Sequence, residues 1–220
     1  MIKLTDVSYK YKKTTGNVLE NVTAEFSAGK LYAIIGASGA GKSTVLSLIA
    51  GLDFVQKGSI LYNNQDVKKI NMDKYRAGAV GVIFQSYNLL QNFTALDNVV
   101  MALYLSKKPN QTQYNHTAYN LLAAVGIKAD KANRNVLQLS GGEQQRVAIA
   151  RCLAADPAVI IADEPTGNLD EDNSIAIMNI LRGIAHTNDK CVIFVTHSKE
   201  IADCADEKWK IEKKSLKKIS

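Results

Sequence analysis

One stretch of the chain decides the fold, and it reads Leu31-Tyr-Ala-Ile-Ile-Gly-Ala-Ser-Gly-Ala-Gly-Lys-Ser-Thr44. The apolar run Leu31–Ile35 predicts a buried strand, and the segment after it matches the pattern G-x-x-x-x-G-K-S/T. A helical pattern, Ser43–Ala50, follows directly. A strand, a glycine-rich loop and a helix in this order predict a phosphate-binding loop, because curled backbone N–H groups and the positive end of the helix dipole then face an anion.

The side chains of such a loop have different tasks. Lys42 is expected to reach the β- and γ-phosphates of a nucleotide, and Ser43 is expected to supply a hydroxyl to Mg²⁺. The alternative is a glycine-rich turn with a surface lysine, and the flanking strand and helix argue against it. The predicted phosphate-binding residues are Gly36, Ala37, Ser38, Gly39, Ala40, Gly41, Lys42, Ser43 and Thr44.

Three further apolar runs are short, rich in β-forming residues and not alternating: Val80–Phe84, Ala158–Ala162 and Cys191–Val195. Such runs are typical of strands that are buried on both faces of a parallel sheet. Helical patterns lie between them, so the sequence predicts an α/β fold with a mainly parallel sheet: Ala95–Leu105, Thr117–Val125, Gly142–Ala154, Asn173–Ala185 and Lys199–Cys204. Partly alternating segments near the N-terminus predict an antiparallel β subdomain: Ile2–Tyr9, Val18–Phe26 and Ser59–Tyr62.

Polar side chains follow each of these three runs at the point where the strand is expected to end. Gln85 follows the first, Asp163 and Glu164 follow the second, and Thr196 and His197 follow the third. Ligands bind outside the carboxyl ends of the strands in open parallel sheets, so these residues are predicted to converge on one site. Asp163 is expected to hold magnesium beside the phosphates. Glu164 can act as a general base on a water molecule, which favours a hydrolase over a nucleotide switch.

The segment Leu139-Ser-Gly-Gly-Glu-Gln-Gln-Arg146 contains two adjacent glycines, which would destabilise a helix interior by about 1 kcal/mol each. They fit the start of a helix instead, where Ser140 and Glu143 have the spacing of a capping box. Gly141 and Gly142 leave backbone N–H groups accessible to an anion. The sequence therefore predicts a second phosphate-binding helix start in addition to the Gly36–Thr44 loop, and a single nucleotide bound to one chain would not require both sites.

These motifs closely resemble the ATP-binding cassette (ABC) family over nearly the whole chain. The resemblance implies ATP and Mg²⁺ as ligands, Gln85 as a further magnesium ligand and His197 as a switch histidine. It also assigns the turn that contains Asp170 to the nucleotide site and Tyr11 to adenine stacking, although a strand tyrosine more often serves packing. In the family two cassettes close head to tail, so that Ser140, Gly141, Gly142 and Glu143 meet the nucleotide held by a second copy of the chain.

Within the family, Asp163–Asp170 and Phe84–Leu90 are similar to the macrolide-exporter, lipoprotein-releasing and cell-division (MacB, LolD, FtsE) group. This resemblance implies an ATPase that energises a separately encoded FtsX/MacB-like permease from the cytoplasmic face of the cell membrane. The expected substrate is a lipophilic molecule or a peptide that is exported or extracted from the membrane. One alternative is a cell-division or signalling ATPase that transmits force without moving a solute. A DNA-repair ATPase is disfavoured, because no sustained heptads lie between Ser43 and Leu139.

The 220 residues, of which 46% are hydrophobic, are predicted to form a single nucleotide-binding domain with a helical subdomain over about 88–150. The formal net charge is +6, and residues 208–220 contain six lysines and one glutamate, a net +5, so the other 207 residues sum to +1. The excess is predicted to lie in a solvated basic tail, with contact to anionic lipid as the alternative. Nucleic acid is not an expected partner, because the charge is not predicted to lie on a folded face.

Overall fold

The computed structural model describes residues 1–12, 15–106 and 111–219. Residues 107–110, within the predicted helical subdomain, and Ser220, at the end of the predicted tail, lie outside the described residues. The strands are β1 (Ile2–Tyr9), β2 (Leu19–Phe26), β3 (Lys30–Ile35), β4 (Lys57–Tyr62), β5 (Gln65–Asp66), β6 (Val80–Ile83), β7 (Val159–Asp163), β8 (Cys191–Thr196), β9 (Glu207–Glu212) and β10 (Ser215–Lys218). The helices are α1 (Lys42–Ile49), α2 (Met72–Lys74), α3 (Ala95–Leu105), α4 (Tyr114–Ala124), α5 (Ala129–Ala132), α6 (Gly141–Leu153), α7 (Glu171–Thr187) and α8 (Lys199–Ala202).

The main sheet has six strands in the order β10-β9-β3-β8-β7-β6, and every neighbouring pair except β10 with β9 is parallel. Successive residues of its central strands enter two separate cores. Val192 and Phe194 of β8 pack among the helices α3 to α7, whereas Ile193 and Val195 face α1 and the N-terminal sheet. Both faces are therefore buried, which explains the unbroken apolar runs and confirms the predicted α/β class.

The N-terminal sheet has the order β2-β1-β4-β5, and all of its strand pairs are antiparallel, as predicted. On the other side of the main sheet, α3, α4 and α6 pack against one another. The start of α3 has a capping box, in which the Thr94 hydroxyl accepts from the Asp97 N–H and the Asp97 carboxylate accepts from the Thr94 N–H. This layer is the helical subdomain that the sequence predicts as part of the fold class.

The register of the parallel strands aligns their carboxyl ends. Ile35 lies opposite Thr196, and Asp163 lies opposite Val195. Ile83 of the edge strand lies opposite Ala162. The residues that follow these strands therefore leave the sheet at the same edge, where the sequence places its candidate site.

The prediction of a solvated tail over residues 208–220 is wrong. Residues 207–218 form the hairpin β9–β10, β9 pairs in parallel with β3, and its side chains Trp209 and Ile211 are buried together with Leu216. Four of the lysines also lie within ion-pair distance of carboxylates, in the pairs Lys208–Asp203, Lys210–Glu212, Lys214–Glu20 and Lys218–Glu207. The basic residues thus lie on a folded edge of the sheet and are largely balanced by neighbouring acids. Among the described residues, the helices are too short or too polar for any of them to span a bilayer.

Candidate functional site

The loop between β3 and α1 has the backbone geometry of an anion cradle. Gly39 and Gly41 have positive φ values of +74° and +103°, which side chains rarely tolerate. A Cβ at Gly41 would lie 3.0 Å from Val18 Cγ1, so this position is closed to a side chain in space as well. Gly41 is also the N-cap of α1 and offers no side-chain cap to the first turn. The first N–H groups of α1 are therefore available to a phosphate.

Lys42 is only 7% exposed, and its ammonium group points back into the loop. Its Nζ donates to the carbonyl oxygens of Gly36 and Ala37 over 2.9 and 3.0 Å. The hairpin β9–β10 packs against this loop, since a Cβ at Gly36 would lie 3.0 Å from the Ile211 carbonyl oxygen. The cationic side chain is thus held at the centre of the cradle, next to the positive end of α1.

A cavity of about 300 Å³ lies in front of the loop, and Tyr11, Ser38, Gly39, Lys42, Ser43, Thr44 and Glu164 are among the residues that line it. Tyr11 is 40% exposed, and its hydroxyl lies 3.0 Å from the Thr44 hydroxyl. Tyr11 also packs edge-on against Tyr9, with ring centroids 5.0 Å apart. Tyr11 therefore lies at the mouth of the cavity, with an exposed ring and a hydroxyl directed at α1.

Ser43 and Asp163 meet across the β3 and β7 strand ends, where the Ser43 hydroxyl donates to Asp163 Oδ1 over 3.1 Å. Burial raises the pKa of Asp163, and the neighbouring Glu164 carboxylate acts in the same direction, whereas the Ser43 hydrogen bond and Lys42 oppose them. Within the described ranges, no group of three His, Cys, Asp or Glu side chains could hold a metal by itself. One hydroxyl and one carboxylate nevertheless fit Mg²⁺, which usually takes one or two protein oxygens and completes its shell with phosphate oxygens and water.

Glu164 and His197 form the next pair along the same edge. His197 Nδ1 lies 3.1 Å from Glu164 Oε2, and the Glu164 backbone N–H donates to the Val195 carbonyl over 3.2 Å. Glu164 has a φ of +46°, in the left-handed region that is costly for a residue with a side chain. Both side chains line a second cavity of about 580 Å³ between the starts of α7 and α8. A residue with a costly backbone conformation thus holds its carboxylate within hydrogen-bond distance of His197.

Gln85 lies beside the turn that precedes α7. Its Nε2 donates to Asn168 Oδ1 over 3.4 Å, and Asn168 Nδ2 donates to the Gln85 carbonyl over 3.1 Å. Asp170 is the N-cap of α7 and accepts from the Asn173 N–H over 2.8 Å, a bond that lowers the pKa of Asp170. Gln85 is thus bonded to Asn168, in the same turn whose last residue, Asp170, caps α7.

The predicted capping box at the start of α6 is present. Ser140 Oγ accepts from the Glu143 N–H over 3.3 Å, and Glu143 Oε2 accepts from the Ser140 N–H over 2.9 Å. The other Glu143 oxygen pairs with Lys131, which lowers the pKa of Glu143. Of the described residues that line the cavity in front of Lys42, none belongs to the segment Ser140–Glu143. The two helix starts that the sequence predicts to bind phosphate therefore do not line one cavity within a single chain.

The neighbours of the two glycines were not predicted from the sequence. A Cβ at Gly141 would lie 3.0 Å from the Tyr87 hydroxyl and 3.5 Å from Leu169, and a Cβ at Gly142 would lie 2.4 Å from Asn173 Oδ1. Tyr87 follows Gln85 by two residues, and Asn173 follows Asp170 by three. The structure therefore packs three predicted motifs against one another through Tyr87, Leu169 and Asn173, for which the sequence analysis predicts no contact role. The positive φ of Tyr87, +61°, is a backbone feature that the sequence pattern does not indicate.

The chain is similar to several known proteins. A family model described as "ABC transporter" matches residues 19–167. The chain is 44% identical over 208 residues to the "Uncharacterized ABC transporter ATP-binding protein YclH" of Bacillus subtilis (strain 168), covering 94% of this chain and 91% of that protein. Similar solved structures include the dimeric structure of MJ0796, described as a bacterial ABC transporter cassette, with a TM-score of 0.88, 33% identity and coverage of 100% of this chain and 99% of that one.

Two further structures are also similar. A dimeric post-hydrolysis state of MJ0796 bound to ADP and Pi has a TM-score of 0.88 and 32% identity, with coverage of 100% of this chain and 99% of that one. The cbiO1 protein from Clostridium perfringens, described as part of the ABC transporter complex cbiONQ, has a TM-score of 0.89 and 26% identity, with coverage of 98% of this chain and 86% of that one.

Proposed function

Because the chain belongs to the ABC transporter family and is an ATP-binding ATPase subunit of such a transporter, we propose that ATP is bound by the β3–α1 loop and hydrolysed with Glu164 as the base. The carrying observation is the common strand edge, where the Ser43–Asp163 and Glu164–His197 contacts lie side by side. This shared edge supports the proposal, because the loop, the Ser43 and Asp163 oxygens and the Glu164 carboxylate all lie along it.

The binding step uses the N-terminus of α1 and Lys42. Residues 36–44 surround the β- and γ-phosphates, and Lys42 exchanges its bonds to the Gly36 and Ala37 carbonyls for phosphate oxygens. Tyr11 stacks its exposed ring on the adenine. Ser43 and Asp163, with Gln85 as a further ligand, would hold Mg²⁺, which neutralises charge on the phosphate oxygens when it is bound.

In the chemical step Glu164 accepts a proton from a water molecule as the water oxygen bonds to the γ-phosphorus. The bond between that phosphorus and the bridging oxygen breaks, and its electron pair stays on ADP. His197 orients the Glu164 carboxylate through Nδ1, and its other nitrogen faces the γ-phosphate. A positioned base of this kind accelerates a reaction by roughly 10²–10⁴-fold.

Glu164→Gln tests this assignment, because it keeps the shape of the side chain and removes its basicity. ATP turnover should fall by at least about 10²-fold while ATP affinity is retained. Lys42→Ala is the matched control and should lose ATP affinity in a folded protein, measured by titration calorimetry. Normal turnover by Glu164→Gln would remove Glu164 from the role of base.

The second anion-binding helix start supports a head-to-tail dimer of two copies of the chain. In such a dimer Ser140, Gly141 and Gly142 of one copy contact the γ-phosphate held by the other. Glu143 fixes this helix start, because both of its carboxylate oxygens are engaged in the capping box and with Lys131. Asp170 lies in the turn next to the shared site.

Mixing two inactive variants tests the shared site. Gly141→Asp places a carboxylate at the helix start, and Lys42→Ala disables the phosphate loop, so each variant alone should be inactive. A mixed dimer has one site with both defects and one with neither, and ATPase activity should partly recover. The control mixes Lys42→Ala with Glu164→Gln, whose defects both lie on the phosphate-loop side of a site, and it should not recover. Normal activity of Gly141→Asp alone would contradict the shared site.

The membrane partner is proposed to be an FtsX/MacB-like permease of the MacB, LolD and FtsE group, bound at the cytoplasmic face of the membrane. Exposed apolar side chains on and before α3 support a docking surface there: Leu90, Phe93, Met101, Tyr104 and Leu105. The proposed substrates are lipophilic molecules or peptides.

Co-purification with the permease should be lost in Met101→Glu, whereas the ATPase activity of the isolated chain persists. Ile219→Glu is the control and should retain the partner, because Ile219 is a similarly exposed apolar residue that directly follows the edge strand β10. Retention of the permease by Met101→Glu would place the docking surface elsewhere.

A further inference from the structure

The turn that follows Gln85 is held in a costly backbone conformation. Tyr87 and Asn88 have positive φ values of +61° and +50° in succession, and neither residue is a glycine. Each such residue costs on the order of 1–3 kcal/mol and persists only where its surroundings impose the conformation. Within the turn, the Tyr87 N–H donates to the Phe84 carbonyl over 3.2 Å and the Asn88 N–H to the Ser86 carbonyl over 2.6 Å. These local bonds use the N–H groups of Tyr87 and Asn88 and leave their carbonyl oxygens to accept from another donor.

One arginine from a distant part of the chain binds both of these carbonyls. Arg151 lies in α6, and its Nη2 and Nη1 donate to the Tyr87 and Asn88 carbonyl oxygens over 2.9 and 2.5 Å. Guanidinium groups are always charged and present several N–H donors in a rigid plane, which suits two neighbouring acceptors. Burial lowers the pKa of Arg151 without removing its charge. The bonds are therefore charge-assisted and partly shielded from water.

The same turn also contacts the opposite end of α6. The Tyr87 hydroxyl lies against Gly141 at the start of the helix, while the backbone of Tyr87 is held by Arg151 near the end of the helix. On its other side the turn begins at Gln85, which pairs with Asn168. The turn is therefore fastened to α6 at two points and to the turn before α7 at a third.

We propose that Arg151 is a positioning residue for ATP hydrolysis. It fixes the Tyr87–Asn88 turn to α6, so that Gln85 moves together with that helix. This inference rests on the proposed role of Gln85 as a magnesium ligand. Arg151 itself touches neither nucleotide nor metal. Its effect is to make the placement of Gln85 depend on the position of the helix that presents Ser140 to a second copy of the chain.

Hydrogen exchange of the isolated, nucleotide-free chain tests the clamp without any catalytic readout. In Arg151→Met the amides of Tyr87 and Asn88 should exchange faster, because the strained turn loses the contact that imposes it. Arg151→Lys keeps the charge but not the planar fork, and it should restore protection only in part. Arg182→Met is the matched control. Arg182 Nη2 also donates to a backbone carbonyl, that of Cys204, over 2.6 Å, but this contact does not involve the Tyr87–Asn88 turn. Unchanged exchange at Tyr87 and Asn88 in Arg151→Met would overturn the proposal.

Steady-state kinetics then separate this inference from the role of Gln85. In Arg151→Met the Mg²⁺ concentration for half-maximal ATPase activity should rise by about tenfold. Loss of a residue that positions a metal ligand typically lowers metal affinity by about 10- to 100-fold, and Arg151 acts on Gln85 only through the turn. The double variant Arg151→Met/Gln85→Ala should be no worse than Gln85→Ala alone, because both changes act through one side chain. Additive losses would overturn the inference. If Gln85→Ala alone retains wild-type Mg²⁺ dependence, the proposed role of Gln85 fails, and the hydrogen-exchange result still decides whether the clamp exists.

Discussion

The contact between Gly142 and Asn173 gives a sharp test of how α6 is seated on α7. In Gly142→Ala the new Cβ would lie 2.4 Å from Asn173 Oδ1 and 2.8 Å from Asn173 Cγ, closer than Cβ atoms approach other heavy atoms. The Asn173 side chain cannot simply swing away, because its Nδ2 donates to both carboxylate oxygens of Asp170 over 2.9 Å. The substitution therefore displaces either this side chain or the first turn of α6.

The magnitude follows from two opposing effects. Overpacking of a well-filled contact costs about 1–3 kcal/mol, whereas alanine in place of glycine in a helix gains up to about 1 kcal/mol. The net loss of stability should be about 1–2 kcal/mol, or roughly 2–8 °C in melting temperature for a chain of this size. The ATP affinity of the phosphate loop should not change, because Gly142 does not line the cavity in front of Lys42.

Thermal and urea unfolding of four proteins measure the effect: the wild type, Gly142→Ala, Asn173→Ala and the double variant. Asn173→Ala removes the two atoms that clash and leaves Asn173 Cβ as the nearest neighbour, at 3.2 Å. Gly142→Ala should therefore be destabilising in the wild-type background and close to neutral in the Asn173→Ala background. Equal effects in both backgrounds, or a stabilised single variant, would refute the contact on which the argument depends.

Three further predictions concern stability. Trp209→Ala should lose about 3–5 kcal/mol in urea unfolding because Trp209 is buried in the core, whereas a solvated tail would give no loss. Asp206→Asn should lose about 1.5–3 kcal/mol at pH 7. Burial opposes ionisation of Asp206, but hydrogen bonds from the Leu31 N–H and His186 outweigh it and lower the pKa. This stabilisation is present above the unfolded-state pKa of about 3.9 and is lost as the pH falls through the lower folded value, so acid unfolding curves of the two proteins should converge. Gly183→Ala, within α7, should raise stability by up to about 1 kcal/mol, because a Cβ there would meet no described atom within 4 Å.

The central strands could be predicted because burial on both faces leaves an unbroken apolar run, as in β8. The candidate site could be located because polar residues directly follow such runs, and the parallel register aligns the strand ends. The capping box at Ser140 and Glu143 could be identified because its spacing is local. The apolar runs, the polar residues that follow them and the capping box are each set by a few neighbouring residues, so a linear pattern records them, whereas the register that brings the strand ends together is a property of the folded sheet.

The C-terminal hairpin was missed because its turn lacks the usual signal. Lys213 and Lys214 form a two-residue connection, and both have positive φ values, +48° and +63°. This conformation normally selects Asn or Gly, so two lysines favour a solvated segment over a hairpin. The alternation of Trp209 and Ile211 with charged residues was the signal that remained. The pairing of β9 with β3 buries Trp209 and Ile211, and this burial outweighs the conformational cost of the Lys213–Lys214 turn.

The Arg151 clamp illustrates a second kind of limit. Arg151 and Tyr87 are separated by 64 residues, and neither their spacing nor their residue types predict a contact. The strain at Tyr87 and Asn88 is likewise a property of the folded chain, since the surroundings impose it. Motifs identify the groups that bind and react, because that chemistry demands particular side chains at particular spacings. Arg151 instead binds backbone carbonyl oxygens, which every residue has, so the residue types at positions 87 and 88 do not indicate the contact, and only the three-dimensional arrangement identifies it.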